Sequence, residues 1–418
     1  MRSNSNAVLA RDLIDFRYLH TTPPDDHPLT TVNIPSVPLM INNIPRIGRL
    51  SDGIFNMNTS QLPFDSEKYA EPYTICLLYP DARDAISALP GFSGVYHSSL
   101  RLQYRICDTP KAGKGMFALT DMDVGDLILR ERPMFLVPQL VVSARIVPAE
   151  EMIENSLLEM TRQDREDFHN LANCKPNETL TMGIIHTNIL DALCLPGSYN
   201  GAYGGICRDL SRVNHRSVIP TLSTVPLNMR NSCVPNAAYR WILKDLVYEL
   251  RALRPIKKGE QIFISYIPLL QARASRRQDL YSKYSFTCNC PACVLPSPCS
   301  DVRRNSLRIA AERDHAHDDS TLKAWIEDLS LPDDYVIAKS IKFVDIMNAE
   351  DLVEQDIWKL HYPRLTKAYC AIKDTNNAKL WARQTAKLLL AVNGDDCGWN
   401  KVADSPESTD WWGRRKRM

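Results

Sequence analysis

Asn214-His215, then sixteen residues, then Ser232-Cys233-Val234-Pro235-Asn236: joined across Arg216–Asn231, the two pieces would read NHSCVPN. The intervening RSVIPTLSTVPLNMRN carries two prolines, several β-branched residues and no motif of its own. Positions that would be neighbours in the joined heptad, ~3.8 Å apart, are separated here by a loop that has to leave and return. Loop length alone adds little, whereas backbone groups buried without partners along such a path would be expensive. The segment reads either as a genuine insertion or as sixteen retained intron codons whose removal restores the heptad. A genuine insertion predicts that the two halves drift apart.

Downstream lies a second cluster, Cys288-Asn289-Cys290-Pro291-Ala292-Cys293, while the other nine of the twelve cysteines are scattered singly. Scattered thiols with one tight group fit a reducing compartment and a metal site better than a disulfide framework. Three thiolates at this spacing wrap one face of a tetrahedral zinc ion and leave the fourth position open. A histidine or Cys299 would serve as a fourth ligand as well as any other thiol.

The 418 residues suffice for two or three domains, and 50 basic against 49 acidic residues nearly cancel. That balance argues against a whole-chain electrostatic grip on nucleic acid or a membrane surface. Arg11 and Asp12 interrupt what a signal peptide would keep apolar, and no run approaches the ~20 apolar residues of a spanning helix. The expectation is an intracellular protein, in the nucleus, the cytoplasm or both, and not secreted.

Residues 1–98 are rich in turn formers, with TTPPDDHP at Thr21–Pro28, and read as poorly ordered or loosely docked; YTICLLY (Tyr73–Tyr79) fits strand or helix. From Leu100 onward, short apolar runs flank Gly- and Asp-containing turns and predict strands at Gln103–Cys107, Gly115–Ala118 and Asp126–Arg130. Residues 143–206 read as a mainly helical insert, with Thr161 as N-cap of a helix that includes DREDFHNLAN. Strands return at Ala238–Ile242, Val247–Arg251 and Ile262–Tyr266. Beyond Pro296 the pattern is helical; Tyr362–Val392 predicts an αα-hairpin about the polar turn Lys373–Asn377. The closing Arg414-Arg415-Lys416-Arg417 suits a nuclear import signal, a phosphate-binding tail or a solvated face.

Four segments, in order, resemble the SET-domain protein lysine methyltransferases. They are Ala112-Gly113-Lys114-Gly115-Met116-Phe117-Ala118; the split NHSC motif; Arg254-Pro255 through Gly259-Glu260 to Ser265-Tyr266; and Tyr284-Ser285-Phe286-Thr287-Cys288-Asn289-Cys290-Pro291-Ala292-Cys293, which looks like the post-SET motif YxFxCxCxxC. The resemblance spans roughly residues 100–296 and, more faintly, helices similar to those of SMYD-type proteins. It implies an α+β fold: a SET-type β-clip of small sheets with a knot-like core, the SET domain over 99–280, a post-SET zinc segment over 281–296 and a helical region over 297–418. Only Cys174 and Cys194 lie between the first segment and Cys207, too few for a paired-zinc MYND finger, so a MYND-less, fungal-type protein is the nearer match.

By this resemblance the reaction is S-adenosylmethionine-dependent methylation of a protein lysine, in a histone or another protein. Lys114, Gly115, Met116, Asn214, His215, Tyr284 and Phe286 would face the cofactor, and Tyr266 would orient the attacking amine. Cys233 would complete a Zn2+ site with Cys288, Cys290 and Cys293. The C-terminal helices would offer a partner surface. The competing reading is a catalytically impaired, zinc-stabilised adaptor, which follows if Arg216–Asn231 pulls Asn214 and His215 from the cofactor while Cys233 still reaches the metal.

Overall fold

The computed structural model describes residues 58–62, 74–90, 103–109, 112–144, 147–192, 195, 202–215, 233–294, 299–313 and 320–415. Arg216–Asn231, Ser232 and most of the first 98 residues lie outside them, so the readings placed there stay outside the description below.

Strands β1 (Asn58–Leu62) and β2 (Thr74–Leu78) form an antiparallel pair, and helix α1 (Pro80–Ser87) follows directly. A second hairpin joins β3 (Tyr104–Asp108) to β4 (Lys114–Ala118); Gly113 turns the chain with φ +63°. Next come β5 (Leu127–Glu131) and β6 (Phe135–Pro138). The insert supplies α2 (Gln139–Ala144), α3 (Val147–Leu158), α4 (Arg162–His169), α5 (Leu180–Asn188), β7 (Leu190–Ala192) and β8 (Tyr203–Ile206). Thr161 Oγ1 accepts from the Asp164 N–H as the N-cap of α4. Strands β9 (Ala237–Ile242) and β10 (Val247–Ala252) then form a hairpin that pairs with β5. The described strands thus gather into three sheets, ordered β1-β2-β6-β8-β7, β5-β10-β9 and β3-β4.

The reading of residues 1–98 as poorly ordered is corrected at β2. Its five residues are at most 2% exposed, and it pairs in parallel with β6 through Ile75–Phe135 and Cys76–Leu136. Cys76 and Leu78 enter the core around Met116, Ile128 and Tyr248, whereas Ile75 and Leu77 face Phe135, Ile153 and Phe168 under the insert helices. A strand buried on both faces reads as a continuous apolar run, so YTICLLY carried no period to separate strand from helix.

The expected strand Ile262–Tyr266 is also corrected: it belongs to no sheet, because each of its polar groups meets a different segment. The Ile262 N–H donates to Met116 O (2.8 Å), Phe263 N–H to Asn236 Oδ1 (2.7 Å) and Ile264 N–H to Asn214 O (3.2 Å), while Phe263 O accepts from Ala237 N–H (3.1 Å). The chain therefore threads between β4, the Asn214 segment and the start of β9, which is the knot-like core that the motif order implied.

Helix α6 (Arg273–Tyr284) leads into the short α7 (Pro291–Val294), followed by α8 (Ser300–Arg313), α9 (Ser320–Glu327), α10 (Tyr335–Ala349), α11 (Gln355–Ala371), α12 (Thr375–Asn393) and α13 (Trp399–Asp404). α11 and α12 are the expected hairpin, with Asp374 capping α12 through the Asn377 N–H and Tyr362 meeting Trp381 at 5.0 Å. The closing basic run is not a uniformly solvated tail. Arg415 is 6% exposed, its Nε donates to Asp333 Oδ1 (3.0 Å), and its guanidinium lies 4.5 Å above the Trp325 ring. That residue anchors the last turn onto α9.

Candidate active site

The two halves of the split motif meet. Cys233 Sγ lies 4.0 Å from His215 Nε2, although their sequence positions straddle the interruption. Asn214 bridges Phe263 in parallel and sends its Nδ2–H to Lys114 O (2.9 Å); Asn236, at the far end of the other half, donates from Nδ2 to Gln261 O (3.0 Å). Both halves are therefore pinned to the threaded segment from opposite sides, and the predicted drift does not occur.

Packing explains the glycine at 115. A Cβ there would come within 2.4 Å of Gln261 Nε2, 2.8 Å of Thr109 Cγ2 and 3.0 Å of Asn214 Nδ2. Only a residue without a side chain lets Gln261, Thr109 and Asn214 pack this close to the backbone and the Asn214 amide reach the Lys114 carbonyl. Lys114 itself points outward, its ammonium 3.6 Å from Asp108. Met116 has its side chain fully buried in the core, and its carbonyl accepts from the Ile262 N–H.

His215 is likewise an internal residue, 3% exposed. Its Nδ1 accepts from the Tyr266 backbone N–H (3.3 Å), which leaves the proton on Nε2, aimed at Cys233. Burial lowers the ring to about 4, so the imidazole is neutral at physiological pH. The side chain thus links the backbone of Tyr266 to Cys233, leaving only its backbone for any cofactor.

Tyr266 donates its hydroxyl proton to Val213 O (2.8 Å), and its ring lies 4.7 Å from that of Tyr284 and 5.6 Å from His215. Phe286 completes the cluster, 6.2 Å from His215. Burial raises the Tyr266 phenol above its ordinary value, helped by the neighbouring Tyr284; burial and then the Asp191 charge push Tyr284 up to about 12. Both hydroxyls therefore stay protonated at working pH. Both residues line a cavity of about 490 Å³ that also touches Gln139, His186, Asp191 and Tyr239, residues the sequence did not single out. Tyr239 had a visible signal, an aromatic opening a strand beside the motif; Asp191 and Gln139 had none.

The sulfur atoms of Cys233, Cys288, Cys290 and Cys293 all lie within 4.8 Å of one another and all four residues are buried. Cys233 stands 3.9 Å from Cys288 and 3.4 Å from Cys293, and its N–H donates to Cys290 Sγ (3.3 Å). A tetrahedral zinc thiolate with ~2.3 Å bonds requires sulfurs ~3.8 Å apart, so the four ligands fit that ion. Cys299 is exposed and stays outside the cluster, which decides the fourth ligand in favour of Cys233. Donors from the neighbouring thiols, Cys233 first, hold Cys290 far below the ordinary thiol range. Beside them lies the fully buried Arg276, whose Nη groups donate to Gln271 O and Ala292 O, the second of these carbonyls lying inside the cysteine motif.

Residues 113–267 match the SET domain family. A small multi-sheet core, a segment threaded between the halves of an NHSC motif, and a cysteine cluster at its tail accompany that match. The chain's relatives include the histone-lysine N-methyltransferase set5 of Schizosaccharomyces pombe, 26% identical over 209 residues, which are 49% of this chain and 56% of set5. The N-lysine methyltransferase SMYD2 of Homo sapiens is 42% identical over 66 residues, 16% of this chain and 15% of SMYD2. The protein-lysine N-trimethyltransferase SMYD5 of Gallus gallus is 39% identical over 75 residues, 17% of this chain and 18% of SMYD5. The chain thus spans about half the length of set5 and less than a fifth of the other two. No described helix is long and apolar enough to cross a membrane.

Proposed function

We propose that the chain is a protein lysine N-methyltransferase that uses S-adenosylmethionine. The observation that carries this is the reunion of the split motif around Tyr266: Asn214 and His215 on one side, Cys233 on the other, with a phenol-lined cavity opening beside them. The side-chain-free backbone at Gly115, Asn214 packed against it and the Phe286 ring provide the close backbone approach and aromatic wall that the donor needs. Bound there, the donor would supply an electrophilic sulfonium methyl.

The chain's own part is alignment and exclusion of water. Because the Tyr266 proton is committed to Val213 O, the phenol oxygen presents lone pairs to the cavity, where it orients an incoming amine N–H. Tyr284, its ring tilted 42° to that of Tyr266 at 4.7 Å, forms the adjoining part of the same wall. His215 holds the Tyr266 backbone and links it to the cysteine cluster, so that a zinc ion on Cys233, Cys288, Cys290 and Cys293 would fix the distance between the Tyr266 and Phe286 walls. A basic protein such as a histone suits the site, and the nucleus and cytoplasm both offer substrates of that kind.

The adaptor reading required Asn214 and His215 to separate from the knot, and both are pinned to it. The test is transfer of labelled methyl from S-adenosylmethionine to lysine-bearing proteins, with the modified atom located by mass spectrometry. Label on a lysine Nζ is expected; absence of transfer across histone and non-histone proteins would return the adaptor reading.

A further inference from the structure

We propose that Asp191 is the residue by which this cavity recognises a cation, so that the substrate enters as the protonated ammonium of a lysine side chain; this rests on the methyltransferase reading above. The pleat of β7 places Leu190 and Ala192 in the core and leaves Asp191 exposed between them, on the side that lines the cavity. Its Oδ1 accepts from Gln139 Nε2 (2.7 Å), a neutral donor, and Asp191 forms no ion pair with any described residue. The rest of the wall offers no competing charge of the same sign: Tyr239, Tyr266 and Tyr284 are phenols and much of the remainder is apolar. His186 also borders the cavity, but its nitrogens face Glu178 Oε2 (2.5 Å) and Val142 O (3.2 Å), so an N–H there is directed to acceptors of the insert, and any charge on the ring is paired with Glu178 rather than with Asp191.

A carboxylate held by a neutral amide over a partly apolar cavity focuses negative potential into it, and the phenol faces add attraction for a cation. The same charge acts against the phenoxide forms of Tyr239 and Tyr284, consistent with Asp191 lying within electrostatic reach of both hydroxyls. Recognition and chemistry then pull in opposite directions. Asp191 favours entry of the ammonium but also holds its proton, whereas attack on the methyl group needs the neutral amine. Removing the carboxylate should therefore weaken binding while making deprotonation easier, a pairing that a purely structural residue would not produce.

The experiment uses the full chain as wild type, Asp191→Asn and Asp191→Glu, with thermal melting as the folding control. Two labelled peptides identical except for lysine or norleucine at the target position are bound by fluorescence anisotropy at low and high salt. Wild type should prefer lysine by about tenfold at low salt and less at high salt; Asp191→Asn should lose most of that preference and its salt dependence, and Asp191→Glu should restore them. In steady state, Asp191→Asn should raise KM for the lysine peptide about five- to tenfold and move the acid limb of the kcat profile to lower pH, with the plateau preserved. An Asp191→Asn protein that melts like wild type and keeps its lysine preference, KM and pH profile overturns the proposal. A wild-type protein that prefers the lysine peptide yet transfers no methyl overturns the methyltransferase reading instead, and one that does neither overturns both.

Discussion

Replacing Arg276 by Met tests whether the four-cysteine cluster works as a charged metal centre. Zinc bound by four thiolates carries a net charge of about −2. Arg276 is fully buried beside that centre, and the sulfurs of Cys233 and Cys293 stabilise its cation. A unit charge facing such a centre at about 5 Å, in a medium of effective dielectric near 20, contributes about 3 kcal/mol per opposing charge before desolvation is set against it. Desolvating the guanidinium cancels much of that gain, and methionine fills a similar volume. Loss of the donors to Gln271 O and Ala292 O strands two carbonyls at the edge of the cluster. The expected net effect is about a hundredfold weaker zinc binding, roughly 2.7 kcal/mol, at the upper end of what outer ligand partners contribute. Competition against a chromophoric chelator measures it, and cobalt substitution reports whether four thiolates still bind. An Arg276→Met protein that holds zinc as tightly as wild type would refute the charge-compensation reasoning, and zinc-free wild-type protein would refute the metal centre.

Tyr266→Phe removes the hydroxyl that Val213 O holds and should lower kcat about 10²-fold while leaving S-adenosylmethionine affinity, measured by calorimetry, unchanged. Gly115→Ala drives a Cβ toward Gln261 and Asn214, so weaker donor binding and a loss of about 1–3 kcal/mol in chemical unfolding are expected. Glu131 gives a pH signature. Burial, then the charge of Asp209, raises its carboxyl to about 7, against the opposing donors Asp209 N–H and Leu210 N–H. The folded state therefore binds the extra proton between pH 4.5 and about 7, and the group's contribution is full below 4.5 and lost as pH rises through 7. The difference in unfolding free energy between wild type and Glu131→Gln should change by about 3 kcal/mol across that window, and a constant difference would contradict it.

Much of the site was legible because it is written in short, rigid segments. The cysteine spacing announced a thiol cluster, which Cys233 joins, and Gly115 and Tyr266 lie beside Asn214 and His215. What sequence could not show depended on distant partners. Thr74–Leu78 needed Phe135–Leu136 beside it before its apolar run could be read as a strand. Ile262–Tyr266 looked like a strand by composition, but its hydrogen bonds are divided among Met116, Asn236, Asn214 and His215. Met116 and His215 carry motif identities whose side chains turn inward, a distinction set by packing. Arg415 read as part of an import signal, a phosphate-binding tail or a solvated face because its acceptors, Asp333 and the carbonyls of Asp328 and Leu331, arrive from more than eighty residues upstream. Asp191 is one carboxylate among many until the fold places it against the phenols.

The interruption gives the most direct test of whether the split motif is whole in three dimensions. S-adenosylmethionine binding and methyl transfer are measured on the intact chain and on a chain lacking Arg216–Asn231. Because Asn214, His215 and Cys233 already meet with the interruption in place, the intact chain should bind the donor and methylate a protein lysine at a rate within about an order of magnitude of the shortened one. Donor binding and transfer found only in the shortened chain would contradict that, and their absence from both would contradict the methyltransferase assignment itself.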